Sequence, residues 1–196
     1  MIYDPLVHRR RTIRISRYDY ATPGSYFITI VVDKRRCLFG EITDGEMRLN
    51  GLGRIASEEW VRTAAIRPDV TLEAFIAMPN HIHGIITIRS AVDLLPGDVL
   101  NPRRSAVERF GTPTSNSIPT IVRSFKAAAT RRINLLRGAQ DQPVWQRGYY
   151  EHIIRNEDAL RKFRLYIEHN PRMWAYDRAN PAARRRAQAD NAPADK

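Results

Sequence analysis

The chain is poor in cysteine, in lysine and in long apolar runs. Its single cysteine, Cys37, excludes an intrachain disulfide and any zinc site built from cysteines. No apolar run approaches the roughly 18 residues that cross a bilayer. The first residues, MIYDPLVHRRRTIR, lack the apolar stretch of a secretory signal. These absences predict a cytoplasmic protein with no membrane partner. Lysine supplies only 4 of the 32 basic residues, the other 28 being arginine, and 21 acids leave a net charge of +11. Arginine forks onto phosphate and stacks on bases, so a polyanion, nucleic acid first, is the expected partner class. An apolar content of 43%, with 3 Trp, 8 Tyr and 6 Phe, excludes a disordered basic tail as the whole story.

The 196 residues suit one domain with arms. Residues 1–24 read as a basic N-terminal arm, with Arg9, Arg10, Arg11, Arg14 and Arg17 interleaved with Tyr18 and Tyr20. Residues 25–175 read as the folded domain, and 176–196, rich in Arg, Ala and Pro, as a disordered tail. Within the domain, SYFITIVV (25–32) is a strand, and two short segments joined by Asp44-Gly45 form a hairpin. A helix follows from Leu52 to Ala65. VTLEAFIAM (70–78) and HIHGIITI (81–88) are strands joined too tightly for a crossover, hence antiparallel. Residues 90–115 read as a long loop carrying Arg103, Arg104 and Arg109. Ser117 and Pro119 open a helix to residue 137. Its polar side aligns Arg123, Lys126, Thr130, Asn134 and Arg137 with no acid between 118 and 137. GYYEHII (148–154) is a last strand, and Asn156 caps a helix from Glu157 to His169. Without the hairpin and the last helix, the order is βαββαβ. That predicts an α+β, ferredoxin-like antiparallel sheet with helices on one face.

Two features can carry chemistry. His81 and His83, at i and i+2 of a strand, face one way, and two neutral imidazoles there can share a divalent ion. On the last helix, Lys162, Tyr166 and Asn170 are spaced by four and form one stripe. Pro171 disfavours helical geometry at Asn170, so that residue is expected at a frayed end with its amide oxygen free to ligate. An ion held by two imidazoles and an amide keeps open positions, can grip a phosphodiester and can polarise its phosphorus. A tyrosine beside it is a candidate nucleophile.

At these residues the chain resembles a known family. MPNHIHGIITI is similar to the His-hydrophobic-His motif of single-tyrosine transposases, and YIEHN (166–170) to their tyrosine helix. YDYATPGSYFITI, CLFGEITDGEMRLNGLGRI, SFKAAATRRIN and VWQRGYYEHIIRNEDAL extend the match over about residues 10–172. The whole resembles the REP-associated tyrosine transposases. The resemblance implies that Tyr166 is the nucleophile, forming a 5′-phosphotyrosine on single-stranded, hairpin-bearing palindromic DNA and freeing a 3′-OH. It implies His81, His83 and Asn170 as ligands of Mg²⁺ or Mn²⁺, although imidazole ligation by itself suits zinc or manganese better. Insertion-sequence relatives carry glutamine where this chain has Asn170. Monomer and homodimer both stay open. Arg9, Arg10, Arg11, Arg14, Arg103, Arg104, Arg123, Lys126 and Arg131 are the candidate DNA-binding residues. The competing reading is a non-catalytic ferredoxin-like module that binds structured single strands by stacking on Tyr26, Phe27, Tyr149 or Tyr150.

Overall fold

The computed structural model describes residues 18–90, 116–177 and 179–190. Its elements are β1 (Gly24–Val31), β2 (Gly40–Thr43), β3 (Glu46–Leu49), α1 (Gly51–Ala65), β4 (Val70–Met78), β5 (His81–Ile88), α2 (Ile118–Leu136), β6 (Tyr150–Ile154), α3 (Glu157–His169) and α4 (Pro181–Asp190). Short 3-10 turns lie at Asp33–Arg35 and Trp174–Tyr176. Among the described residues, no helix is long and apolar enough to cross a membrane.

The main sheet has four strands in the order β4-β5-β1-β6, with every pair antiparallel. This is the ferredoxin-like order that the βαββαβ succession predicts. β2 and β3 form the inserted hairpin, a separate two-stranded ribbon. Its turn residues, Asp44 and Gly45, both have positive φ (53° and 74°), which matches the twist of the strands they join. Asn50 caps α1, its Oδ1 accepting from the Leu52 and Gly53 N–H groups. Ser117 and Asn156 cap α2 and α3 in the same way, as their positions in the sequence predict.

Strand alternation divides the core in two. On one face, Ile28, Ile30, Ile82 and Ile86 pack under Ala56 and Trp60 of α1 and Phe125 and Ala129 of α2. On the other, Phe27, Ile85 and Ile154 pack under Leu160 and Ile167 of α3. His81 and His83, in phase with Ile85, therefore face α3. Helices cover both faces, where the bare βαββαβ plan has them on one.

Two boundary expectations differ from what is found. The N-terminal arm does not reach residue 24 as a free extension. Tyr20 is buried and Tyr18 packs against the same core, with the Tyr18 and Tyr26 hydroxyls 3.2 Å apart. The Tyr20 carbonyl also accepts from the Ile118 N–H. Aromatics at these positions fill the gap between β1 and the start of α2. The segment after 175 is not wholly disordered, because Pro181–Asp190 is helical. Asn180 starts that helix by accepting from the Ala182 N–H. Alanine, arginine and glutamine are strong helix formers, so a composition that reads as low complexity also reads as helix once it is capped.

Gly84 marks the tightest point of this packing. A Cβ added there would sit 2.3 Å from the Trp60 ring, which itself stacks on Phe75 at 5.1 Å. We expect Gly84→Ala to lower stability by about 1–3 kcal/mol through overpacking, measured as a shift of the urea midpoint at unchanged slope.

Candidate active site

The site begins with β1–β5 register, which sets Thr29 opposite His83 and Val31 opposite His81. His81 and His83 are 2% and 4% exposed, and their Nε2 atoms lie 2.9 Å apart. Two ligands at right angles, about 2.1 Å from one ion, have about that separation. The outer nitrogens are held from behind. Thr29 Oγ1 is 2.8 Å from His83 Nδ1, and Asn80 Oδ1 is 2.9 Å from His81 Nδ1. Asn80 is completely buried, and its Nδ2 donates to the Arg35 and Ala179 carbonyls. Its Oδ1 can only accept, so His81 carries its proton on Nδ1 and turns the lone pair of Nε2 into the site.

α3 brings the remaining groups. Leu160 and Ile167 bury its apolar side, with Phe163 half-buried between them. Tyr166 stands on the adjacent stripe, its hydroxyl 3.5 Å from His83 Nε2 and its ring edge-on to that imidazole. Asn170, one turn on, is 4% exposed, and its Oδ1 has no hydrogen-bond partner among the described residues. An orphaned acceptor costs free energy in a folded protein, and a cation shared with the imidazoles would satisfy it. The frayed geometry expected before Pro171 is not found. Asn170 has φ −56° and ψ −40°, because the chain keeps turning, with Met173 N–H bonding the Asn170 carbonyl. The helix is clamped to β4 by an ion pair between Arg164 and Glu73, where an irregularity between Leu72 and Phe75 reorients the strand.

Burial sets the charge state of the site. His81 is pushed down to about 4 by desolvation and by Arg35, while Asp177 and the Asn170 side chain pull the other way. His83 lies well below its ordinary value, from desolvation and then from His81. Both imidazoles are therefore neutral ligands at neutral pH. Desolvation raises the Tyr166 hydroxyl, with Asn170 opposing and Asp177 adding to the rise. Among the described residues no three His, Cys, Asp or Glu side chains gather to hold an ion, so a third donor would be of another kind, and the buried Asn170 amide oxygen could serve. Asp177 Oδ2 stands 3.9 Å from His81 Nε2, with Oδ1 held by the Ala179 N–H. His81, His83, Tyr166 and Asp177 line a cleft of about 600 Å³ that also includes Phe27, Tyr150, Lys162 and Phe163, with Asn170 outside its lining.

The basic candidates divide. Arg9, Arg10, Arg11, Arg14, Arg103 and Arg104 lie outside the described residues. Arg123 and Arg131 are exposed on α2, whose buried side packs on the sheet face opposite the histidines, so they do not meet the site. Lys126 is turned inward and donates to the Gln146 and Arg147 carbonyls at 2.5 and 3.2 Å, which removes it from the set that could meet phosphate. A helical wheel shows which residues share a side, not which face of the sheet the helix covers. The cations that do reach the cleft, Arg35 and Lys162, were not among the sequence candidates for nucleic-acid contact. Asn80 and Thr29 were missed too. Asn80 had a faint signal in its place directly before the histidines, Thr29 is visible only through strand register, and Asp177 had none. Trp145 packs between Phe39 and Phe125, as a core residue. His169 bonds the Leu165 carbonyl of its own helix.

The chain has relatives among known proteins. No family model matches it. An uncharacterized protein of Haemophilus influenzae is 39% identical over 175 residues, covering 89% of this chain and 95% of its own length. The two proteins belong to one family. A REP-associated tyrosine transposase, solved bound to a REP hairpin, is 18% identical, with a TM-score of 0.52 over 85% of this chain and 76% of its own. That likeness shows the fold, and it is the fold expected from the sequence resemblance.

Burial lowers the Lys126 ammonium to about 8 from its ordinary 10.5. Between those values the unfolded chain holds the extra proton, so this group makes stability rise with pH from 8 to 10.5, and the gain is lost as pH falls through 8. We expect Lys126→Met to flatten that part of the stability–pH profile, measured as urea midpoints.

Proposed function

We propose that the protein is a metal-dependent transposase that cuts and rejoins single-stranded, hairpin-bearing DNA with Tyr166 as nucleophile. The observation that carries this reading is the Tyr166 hydroxyl, 3.5 Å from the Nε2 of a buried imidazole pair, next to an orphaned Asn170 Oδ1. His81, His83 and Asn170 would hold Mg²⁺ or Mn²⁺. When bound, that ion supplies Lewis-acid polarisation of a phosphodiester oxygen.

The chain's own residues do the rest. Tyr166 Oη, losing its proton, attacks phosphorus, and the bond to O3′ of the preceding nucleotide breaks. The O3′ takes a proton and leaves as a free hydroxyl, while the 5′-phosphate stays on Tyr166. Attack by a 3′-OH on the same phosphorus reverses the exchange and releases the phenol, so rejoining needs no nucleotide cofactor. α3, clamped through Arg164, holds the phenol in line. Thr29 and Asn80 hold the imidazoles with Nε2 forward. Arg35 and Lys162 line the cleft as positive charges for the strand's phosphates.

With Mn²⁺ and a hairpin-bearing single strand, we expect a covalent protein–DNA adduct that survives denaturing electrophoresis. Tyr166→Phe should abolish it, and chelation or His81→Ala should reduce it to background. An adduct formed by Tyr166→Phe removes the nucleophile assignment. Strand binding without any adduct, unchanged by His81→Ala, would make the protein a binding module instead. We also expect Thr29→Val, which takes away the hydroxyl behind His83, to weaken Mn²⁺ about tenfold by calorimetry with no loss of fold.

A further inference from the structure

The cleft is larger than a phosphodiester and a metal ion require, and its two ends differ. At one end lie His81, His83, Arg35 and Asp177, where the reaction would occur. At the other, Phe27, Tyr150, Ala159 and Phe163 form an apolar wall with Lys162 as its only charge. We infer that this outer end is a stacking site for one unpaired nucleobase next to the cut phosphate, with Tyr150 as the platform. The inference rests on the strand-cleavage reading and names a substrate feature that the reading leaves open.

Sheet register fixes the distance. Tyr150 pairs with Thr29 across β6–β1, and Thr29 with His83 across β1–β5. One row therefore runs from Tyr150 to the histidines over two strand spacings, about 10 Å. That is the reach from a phosphate at the imidazoles to the base of the adjoining nucleotide. The floor between them is aromatic. Phe27 stacks on Phe163 at 4.5 Å and on His83 at 5.3 Å, and meets the Tyr150 ring edge-on at 6.5 Å. Tyr150 is a large aromatic left 43% exposed on an edge strand, where core packing does not demand one. Ala159, the smallest side chain on this wall, leaves room above the floor.

Charge chooses the occupant. An apolar peptide side chain would find the same wall, but the cation beside it favours a ligand that is aromatic and anionic at once. Lys162 lines the cleft one helical turn before Tyr166, which puts its cation within reach of a phosphate flanking the stacked base. Base–aromatic stacking tolerates any sequence because every base has a π-face.

The test uses the full chain in chelator, so that neither metal nor cleavage enters. Fluorescence anisotropy compares a thymidine dodecamer with an abasic strand of equal length and charge. The wild type should prefer the thymidine strand by about tenfold. Tyr150→Ala should bring the two affinities together by weakening only the thymidine strand, and Tyr150→Phe should keep the preference. Lys162→Met should weaken both strands alike. A wild type without the preference, or a Tyr150→Ala protein that keeps it, overturns the inference. Indifference of both strands to Lys162→Met overturns the part given to the lysine. Mn²⁺ titration of wild type and His83→Ala separates this from the parent reading. Loss of Mn²⁺ binding in His83→Ala upholds the metal site whatever Tyr150 does, and unchanged binding defeats that reading without touching the stacking result.

Discussion

The geometry of the site depends on one buried side chain. Asn80 makes three side-chain hydrogen bonds, to His81 Nδ1 and to the Arg35 and Ala179 carbonyls, while its backbone carbonyl accepts from the Val32 N–H. A fully buried amide costs free energy unless its polar atoms are bonded, so these bonds are made together or the local structure is lost. The result joins the end of β1, the start of β5 and the segment after α3 at one point. His81 inherits a fixed tautomer and ring direction from it. The reactive geometry is thus a by-product of satisfying a buried polar group.

The division of labour between the two faces of the sheet follows. One face carries the larger core under α1 and α2, and it can be rigid because nothing has to enter there. The other carries only α3, whose apolar stripe closes half the face and leaves the row of Tyr150, Thr29 and His83 open to a cleft. Holding a helix by so small a core requires a second anchor. The Arg164–Glu73 pair supplies one, and Glu73 is itself fixed by the Thr87 hydroxyl at 2.7 Å. Ion pairs at partly exposed positions contribute little to stability, so the clamp's value is positional, since it lies two residues from Tyr166.

Much of this was legible in the amino-acid order. The alternation that puts His81 and His83 on one side, the spacing that aligns Tyr166 with Asn170, and the succession of elements all follow local periodicity, which the fold preserved. What was not legible depends on tertiary choices. Arg123 shares a helical side with Lys126, yet Lys126 turns in to the Gln146, Arg147 and Gly148 carbonyls and the helix lies on the far face. The bias against helical geometry before proline was overridden at Asn170 by a continuing turn and by burial of its side chain. Thr29 belongs to the site only because of a register that no single strand encodes. The capped helix after Pro181 shows that composition alone misreads a segment whose start carries an asparagine.

On the proposed reading, His81, His83 and Asn170 surround one cation beside Tyr166. The most direct measurement is the anomalous scattering of crystals grown with Mn²⁺. We expect a single strong peak bounded by both Nε2 atoms and the Asn170 Oδ1, with the Tyr166 hydroxyl next to it. A fully occupied Mn²⁺ elsewhere, with the Asn170 amide still unpartnered, would contradict it.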